Sequence, residues 1–445
     1  METNLDEFLD VENELDQRWP ETKLEPSLER IKALVHVLGD PQTSFPVVQL
    51  TGTNGKTSTS RMTDALFSRI GLRTGRYTSP HLQLATERIS LDNSPISPER
   101  YVEVYRDVEP YVAMVDGRSE IRMSKFEVLT GMAYAAFADA PVDVAVVEVG
   151  MGGTWDATSV ADAKIAVLTP IGLDHTEYLG TRPEDIAVEK AGIIKPGSVA
   201  IIGEQTPEVM KVLLTRAAEV DATIARFGSE FGVVSRAVAV GGQMITLQGL
   251  SGVYEDIFLP LHGEHQAANA ALALAAVEAF FGAGPDRQIN LDVVREGFAS
   301  VVNPGRLERV RSAPNVFVDA AHNPHGAAAL AKALESEFGF RKLVAVVAVM
   351  SDKDAEGILS ALEPVVQELV ITTNSSPRAM DPDVLAGLAV PIFGEDRFEV
   401  RPRLVDAVEE AIHLAEDEQS GGGVIVTGSV VTAGEARALF GKEPA

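Results

Sequence analysis

"TGTNGKTSTS", residues 51–60, contains the pattern that decides the fold. It follows the apolar run "FPVVQL" at 45–50 and precedes "RMTDALFSRIG", which has the spacing of an amphipathic helix. A strand, a glycine loop, a lysine, a hydroxyl residue and a helix form the arrangement that holds phosphate groups, because backbone N–H groups and the helix N-terminus face the anion. Lys56 adds a charge and Thr57 offers a hydroxyl to a phosphate-bound Mg²⁺. The sequence therefore predicts a nucleotide-binding loop.

The loop is a variant of the strict phosphate-loop consensus. The consensus has a glycine where this chain has Leu50, and the glycines here are Gly52 and Gly55. A plain glycine turn without a ligand is the alternative, and it leaves Lys56 and Thr57 in register unexplained. Two features support the prediction of a helix after the loop. Apolar residues recur every four positions at Met62, Leu66 and Ile70, and Gly71 stands where a helix-terminating glycine is common.

Length, composition and charge exclude several classes of protein and of binding site. A chain of 445 residues is long enough for two or three domains, and 45% hydrophobic with 23% charged residues is typical of globular proteins. Acidic residues outnumber basic ones by 65 to 38, and the formal charge of −27 repels nucleic acid and anionic membranes. An anionic ligand then requires its own cationic pocket. The absence of cysteine excludes disulfides, thiolate catalysis and cysteine-bound metals.

The chain has no recognisable membrane or secretion segment. Its first twenty residues are acidic and lack an apolar stretch with a basic flank, and no window reaches about 18 uninterrupted apolar residues. We therefore expect a cytoplasmic protein.

Short apolar runs alternate with helical stretches in the first 203 residues. This alternation predicts an α/β fold with a doubly wound, mostly parallel sheet around the P-loop. The apolar runs lie at 45–50, 142–149, 164–171 and 198–203, and the helical stretches at 98–114, 124–138 and 183–191.

The pattern changes in the second half. Glycine-punctuated alternation at 226–250 predicts antiparallel strands, and the alanine-rich stretch 265–281, apolar nearly all round, predicts an internal helix. Asn-Pro-Gly within 301–310 breaks the pattern, and an α/β rhythm then restarts. We predict a P-loop domain at 1–302 and a second, smaller Rossmann-like α/β domain at 303–445.

Seven further motifs follow the loop along the chain. They are "YTSPHL" (77–82), "VVEVGMGGTWDAT" (146–158), "LDHTEYLG" (173–180), "EKAGIIKPG" (189–197), "NPGRLE" (303–308), "DAAHNPHG" (319–326) and "TGSVVTAGE" (427–435). In kind and order they resemble the Mur ligase superfamily, and its folylpolyglutamate synthase and dihydrofolate synthase branch most of all. The "GKT" form of the loop is shared with other Mur ligases, but those that bind a UDP-sugar usually carry a domain before the loop, and only 50 residues precede it here.

The resemblance implies an ATP-dependent ligase of folate biosynthesis and polyglutamylation. It would add L-glutamate to dihydropteroate, to the γ-carboxylate of (tetrahydro)folate, or to both, through an acyl phosphate. It implies ATP and two Mg²⁺ ions, small-molecule partners only, and a monomer. A Mur-type ligase acting on a UDP-linked cell-wall precursor, a P-loop regulatory NTPase and a non-catalytic binding module are the alternatives, and the last leaves Lys56, Glu148 and His175 unexplained.

Two polar residues follow strand-like runs. Glu148 ends the apolar run "DVAVVEV", where its side chain would project from the carboxyl edge of the sheet, and His175 follows another run. A solvated carboxylate and a structural histidine are the alternatives. The resemblance implies that both residues bind Mg²⁺, and the implied ligands are Thr57, Ser79, Glu148 and His175.

The resemblance also implies the rest of the site. Lys190 would be carbamylated by CO₂ and help to hold a second Mg²⁺, although a surface lysine is the plain interpretation. The implied catalytic residues are Lys56, Glu148, His175, Lys190 and His322. The implied ATP-binding residues are Thr53, Asn54, Gly55, Lys56, Thr57, Asn269, Arg306 and Asp319.

The substrates would bind on both domains. His322 and Ser429 would contact the incoming glutamate, with a structural role equally open for Ser429. Trp155 would stack on the pterin ring or fill a hollow in its loop. The implied substrate residues are Arg30, Ser124, Trp155, Asp156, Ala157, His322 and Ser429.

Overall fold

The computed structural model describes residues 2–18, 26–416 and 421–444, and it confirms a two-domain α/β fold. The first domain is built on an eight-stranded sheet of order β4-β3-β2-β5-β1-β6-β7-β8. Strands β2, β5, β1, β6, β7 and β8 are parallel, and the β2-β3-β4 edge is antiparallel. The strands are β1 (Val47–Thr51), β2 (Thr74–Tyr77), β3 (Ile89–Leu91), β4 (Ser94–Pro95), β5 (Val144–Glu148), β6 (Ile165–Leu168), β7 (Val199–Ile202) and β8 (Thr223–Arg226).

Helices cover both faces of this sheet. Several begin at a proline or at a hydroxyl side chain that accepts a backbone N–H bond, as at Ser97, Ser124 and Thr206. The helices of the first domain are α1 (Glu2–Asp16), α2 (Glu29–Val37), α3 (Lys56–Ile70), α4 (Pro98–Asp116), α5 (Lys125–Asp139), α6 (Thr176–Leu179), α7 (Pro183–Lys190), α8 (Pro207–Glu219), α9 (Glu264–Phe280) and α10 (Leu291–Ala299).

A three-stranded antiparallel sheet, of order β11-β10-β9, packs beside the first domain's main sheet. It confirms the prediction from glycine-punctuated alternation. The internal helix is also confirmed, because thirteen of the seventeen residues of α9 are buried. The strands are β9 (Gly232–Ala239), β10 (Gly242–Gln248) and β11 (Val253–Leu259).

The second domain has a six-stranded sheet of order β12-β13-β17-β14-β15-β16, parallel except for β12. Its strands are β12 (Glu308–Ser312), β13 (Asn315–Val318), β14 (Lys342–Val347), β15 (Glu368–Ile371), β16 (Phe398–Val400) and β17 (Gly422–Thr427). Its helices are α11 (Pro324–Glu337), α12 (Ala355–Leu362), α13 (Pro382–Phe393), α14 (Leu404–Glu416) and α15 (Val430–Leu439).

In the part of the chain that the structure describes, no helix is both long and apolar enough to cross a membrane.

A buried ion pair joins α3 to the main sheet. Asp64 of α3 accepts a 2.7 Å hydrogen bond from Arg76 of β2, and Arg76 also donates to Ser90 of β3 at 2.9 Å. Asp64 and Arg76 are almost completely inaccessible to solvent. Burial raises the pKa of Asp64, against the lowering effect of the Arg76 charge. The helix that carries the glycine loop is therefore tied to two strands by a charged contact.

We predict that Asp64→Ala lowers the free energy of unfolding by about 3–5 kcal/mol, because it leaves the Arg76 charge buried without its partner. Thermal and denaturant unfolding would measure the loss. Asp185→Ala, in the exposed pair with Arg182, is the control and should change stability little. Equal stability of the two variants would contradict the prediction, and Asp64→Ala combined with Arg76→Leu should recover part of the loss.

Candidate active site

The glycine loop joins the C-terminal end of β1 to the first residue of α3. Gly52 has φ +149° and Gly55 has φ +91°, and both positions lack room for a side chain. A Cβ at Gly52 would lie 1.8 Å from the hydroxyl oxygen of Thr169, and one at Gly55 would lie 2.6 Å from Oδ1 of Asn269. The two glycines of the variant loop are therefore required by both conformation and space.

The N-terminus of α3 suits an anion. Its N-cap is Gly55, no side chain caps it, and its first turn has no acidic residue. The helix dipole and the N–H groups of the first turn favour negative charge at this end. The structure thus supports a phosphate ligand over a plain glycine turn.

Two lysines converge on the carbonyl oxygen of Gly52. Nζ of Lys56 donates to it at 3.1 Å and to the carbonyl of Thr53 at 3.2 Å, and Nζ of Lys190 donates to it at 2.9 Å. Lys190 is the last residue of α7 and is buried, so the surface interpretation of this lysine is wrong. Burial, together with the nearby Lys56 charge, lowers the pKa of Lys190 to about 7.

Glu148 lies beside the loop because β5 pairs in parallel with β1, with Glu148 opposite Leu50. The Thr57 hydroxyl lies 3.1 Å from both carboxylate oxygens, and Glu148 is only 1% exposed. Burial raises the pKa of Glu148 to about 7, against the lowering effects of Lys56 and of the Thr57 hydroxyl. A buried carboxylate with an adjacent hydroxyl suits Mg²⁺, which prefers oxygen ligands and retains several waters.

The other two predicted Mg²⁺ ligands lie on neighbouring loops. Ser79 is half-buried after β2, and His175 precedes α6 with φ +51°. Burial lowers the pKa of His175 to about 4, against the raising effect of Asp174, so its imidazole is neutral at pH 7 and able to bind metal. Over the described ranges, no hydrogen bond joins Ser79 or His175 to Glu148, and no three His, Asp or Glu side chains group as a metal site. A metal role for these residues stays a prediction.

A cavity opens between the two domains next to Thr57. Arg306 of the second domain lines it together with Arg61 of α3, so two basic residues border this space. Arg61 is 9% exposed, and burial, then the Arg76 charge, lowers its pKa to about 9. The lining residues are Thr57, Arg61, Thr78, Pro80, His81, Leu82, Glu87, Pro304, Arg306 and Val430.

Polar side chains join the loop to the second domain. Asn54 and Asn323 exchange two amide hydrogen bonds of 3.1 Å each. Asp174 accepts from Lys353 at 2.5 Å and from Asn323 at 3.1 Å, and Nε2 of His322 lies 3.7 Å from the Asp174 carboxylate. Although burial acts to raise the pKa of Asp174, His322 and the positive charges nearby hold it well below its usual range. The glycine loop and the "DAAHNPHG" motif therefore form one site.

Comparison with known proteins identifies the family. The family described as "Mur ligase middle domain" matches residues 50–277, and "Mur ligase, glutamate ligase domain" matches residues 305–430. A Mycobacterium tuberculosis protein named "Dihydrofolate synthase/folylpolyglutamate synthase" is 58% identical over 98% of this chain and 94% of its own length. The chain belongs to the Mur ligase family. It is an ATP-dependent ligase that joins an acid to an amino acid.

Solved structures agree with this Mur ligase assignment. The Mycobacterium tuberculosis folylpolyglutamate synthase complexed with ADP has a TM-score of 0.95 and 57% identity, and the match covers 99% of this chain and 100% of that one. The Escherichia coli FolC in complex with DHPP and ADP has a TM-score of 0.85 and 30% identity, with 98% and 97% covered.

Two predicted ATP-binding residues of the Mur ligase have internal contacts. The Asp319 carboxylate accepts from the backbone N–H groups of Leu307 and Ala321 at 2.8 Å each, and burial raises its pKa against the Arg306 charge. Nδ2 of Asn269 donates to Gln266 at 3.1 Å. Asp319 therefore orders the backbone at Leu307 and Ala321, and Asn269 lies beside Gly55 of the glycine loop. Contact of either residue with ATP stays a prediction.

Three predicted substrate residues of the ligase are helix caps or ion-pair partners. Ser124 caps α5, and Ser429 caps α15 while buried at 1% exposure, which favours a structural role for the second serine. Arg30 donates to the Glu127 carboxylate at 3.0 Å.

Three more of the seven predicted substrate residues lie together in the loop after β5, and His322 lies at the contact between the domains described above. The Asp156 carboxylate accepts from the backbone N–H groups of Met151 and Thr158, and Ala157 is buried beside it. Trp155 packs near Gly152 and in the cluster around Leu179, which matches the interpretation that it fills a hollow. Substrate contacts at these positions stay predictions.

The sequence analysis missed four residues of the site. Asp174 and Asn323 lie inside quoted motifs, next to His175 and His322, and could have been found there. In the sequence, Arg61 has the appearance of a solvent-exposed residue on the polar face of an amphipathic helix. Lys353 lies outside every quoted motif.

We predict that Lys56→Ala reduces turnover by at least about 10²–10³-fold, because it removes a positive charge from the phosphate-binding loop. The protein should stay folded, since Lys56 contacts only loop carbonyls among the described residues. Steady-state phosphate release and thermal unfolding measure the two effects. Lys211→Ala, at an exposed position of α8, is the matched control. Loss of folding in Lys56→Ala would favour a purely structural loop.

Proposed function

We propose that this Mur ligase adds L-glutamate to dihydropteroate, to the γ-carboxylate of tetrahydrofolate, or to both. The names of its relatives support the substrate class. The observation that carries the proposal is the contact between the glycine loop and the "DAAHNPHG" motif, through Asn54, Asn323 and Asp174. It brings a phosphate-binding loop of one domain against a histidine-bearing loop of the other.

The reaction has two steps. The carboxylate oxygen of the folate substrate attacks the γ-phosphorus of ATP, and the bond from this phosphorus to the β-phosphate oxygen breaks. The products are an acyl phosphate and ADP. The amine of glutamate then attacks the acyl carbon, loses a proton, and inorganic phosphate departs as the amide forms. Both partners of the first step are anions, so charge neutralisation is the main requirement.

The chain supplies that neutralisation from both domains. Lys56 and the N-terminus of α3 would face the phosphates, and Arg306 lines the cavity next to Thr57. Mg²⁺, when bound by Thr57, Ser79, Glu148 and His175, would screen the phosphate charge further. His322 would orient the incoming glutamate, and the contact between domains would keep water from the acyl phosphate.

We propose that the two domains bind different substrates. Residues 1–302 would bind ATP and the pterin-bearing substrate, and residues 303–445 would bind glutamate. Two Mg²⁺ ions, small-molecule partners and a monomer complete the proposal. The segments 19–25 and 417–420 within these domains lie outside the described residues.

Lys190 is the proposed site of carbamylation. A neutral amine attacks the carbon of CO₂, a nitrogen–carbon bond forms as one carbon–oxygen π bond breaks, and the nitrogen loses a proton to solvent. The neutral amine thereby becomes an anionic carbamate that can help to hold Mg²⁺. Because burial lowers the pKa of Lys190 to about 7, the side chain is mostly neutral at pH 8, where an ordinary lysine is protonated.

We predict a carbamate carbon signal at pH 8 when the protein is supplied with ¹³C-bicarbonate and followed by NMR. The signal should decrease at pH 6, where the amine is protonated, and vanish in Lys190→Ala but not in Lys211→Ala. Absence of the signal together with full activity of Lys190→Ala would rule out this role.

The substrate is tested by phosphate release from ATP and glutamate, with dihydropteroate, tetrahydrofolate or a UDP-muramoyl peptide added in turn. We expect release to depend on glutamate and on at least one of the two pterin compounds. Dependence on the UDP-linked compound instead would identify a cell-wall ligase. Release that responds to neither glutamate nor a pterin would point to a regulatory NTPase.

A further inference from the structure

Helix α11 is attached to the first domain at both of its ends. At its beginning, Asn323 contacts Asn54 and Asp174 at the glycine loop. At its end, Glu337 contacts residues before α9. The helix has fourteen residues, so the two attachments are about 20 Å apart. Only the first of them lies at the proposed reaction site.

The second attachment is a buried carboxylate with three donors from the first domain. The Glu337 side chain has no accessible surface, and it accepts from the Gly263 backbone N–H at 2.8 Å and from Nδ1 of His262 at 2.9 Å. Arg236 forms an ion pair with the same carboxylate. Burial, then the charges of Arg309 and Arg236, lowers the pKa of His262, and the ring donates to the carboxylate through Nδ1–H.

The three-stranded sheet supplies the support for these donors. Nε of Arg236, on β9, donates to Oε1 of Gln243 on β10 at 2.5 Å. Gln243 is fully buried, and its amide donates to the carbonyls of Leu261 and Gly263 at 2.8 and 3.1 Å. Gln243 therefore fixes the Arg236 guanidinium relative to the segment that carries Gly263, independently of their contacts with Glu337.

An aromatic contact extends the attachment. The ring of Phe338, directly after α11, lies with its centroid 4.8 Å from that of His262 and also 4.8 Å from that of Phe317 on β13. The end of α11 is thus packed between its own sheet and the first domain. The reaction chemistry uses none of these groups.

We propose that Glu337 is a positioning residue for the ligase reaction, and that the three-stranded sheet holds the groups that bind the Glu337 carboxylate. By fixing the far end of α11, Glu337 sets the direction of that helix, and with it the position of His322 and Asn323 at the glycine loop. This inference rests on the proposed function for the role of His322. It assigns a purpose to a sheet that contributes no residue to the nucleotide site.

Glu337→Ala tests the proposal, with Glu335→Ala, an exposed position on the same helix, as the matched control. The rate constant kcat of glutamate-dependent phosphate release should fall about tenfold or more in Glu337→Ala, because a small misplacement of reacting groups is costly. ADP affinity and KM for ATP should match the control, since the glycine loop belongs to the first domain. The melting temperature should fall, because the change leaves Arg236 without its buried partner. Glu337→Gln, which can still accept from Gly263, should recover part of kcat.

Arg236→Ala tests the same contact from the first domain. It should lower kcat in the same way, and the double variant Arg236→Ala with Glu337→Ala should be little worse than Glu337→Ala alone, since both act through one contact. If Glu337→Ala does not fold, Arg236→Ala decides the question.

Wild-type kcat in a folded Glu337→Ala, or in Arg236→Ala where the first does not fold, would overturn the positioning role and leave the proposed function intact. An equal loss of ADP affinity and kcat would also overturn it, because it would show a general structural defect. If the wild-type protein releases phosphate without regard to glutamate, the proposed function fails first.

Discussion

Repulsion between a triphosphate and a substrate carboxylate is the constraint on which this structure depends. The chain as a whole has a charge of −27, so it opposes the approach of both anions. The structure concentrates basic side chains where β1, β5 and the second domain meet, with Lys56 at the carbonyl of Gly52 and with Arg61 and Arg306 along one cavity. The parallel sheet makes this possible, because the carboxyl ends of neighbouring strands lie at the same edge.

Much of the fold could be predicted from apolar periodicity. The strands around the glycine loop are short apolar runs, and α9 is apolar on all sides, so both were found. Strand β2 was not found, because its four buried residues include Thr74, Gly75 and Arg76, and the cost of burying Arg76 is offset by Asp64, which is distant in sequence. The periodicity of apolar residues does not reveal an ion-pair partner that is brought near only when the chain folds.

The site was predicted less completely than the fold, for a similar reason. Glycine loops and strand-end carboxylates are local patterns, and the loop and Glu148 were placed from them. Whether a lysine is buried depends on what packs against it, so Lys190 had the appearance of a surface residue. The predicted substrate residues Ser124, Asp156 and Ser429 lie in recognisable motifs, yet their polar groups stabilise helix ends and turns in the structure.

The carbonyl oxygen of Gly52 fixes two lysine side chains at the start of the glycine loop. Nζ of Lys56 and Nζ of Lys190 both donate to this oxygen, and Lys56 also donates to the carbonyl of Thr53. A lysine whose polar end is already held by the backbone loses less side-chain entropy on binding an anion than one that moves freely in solvent. The loop thus lowers the entropic cost of binding at the residues that it holds.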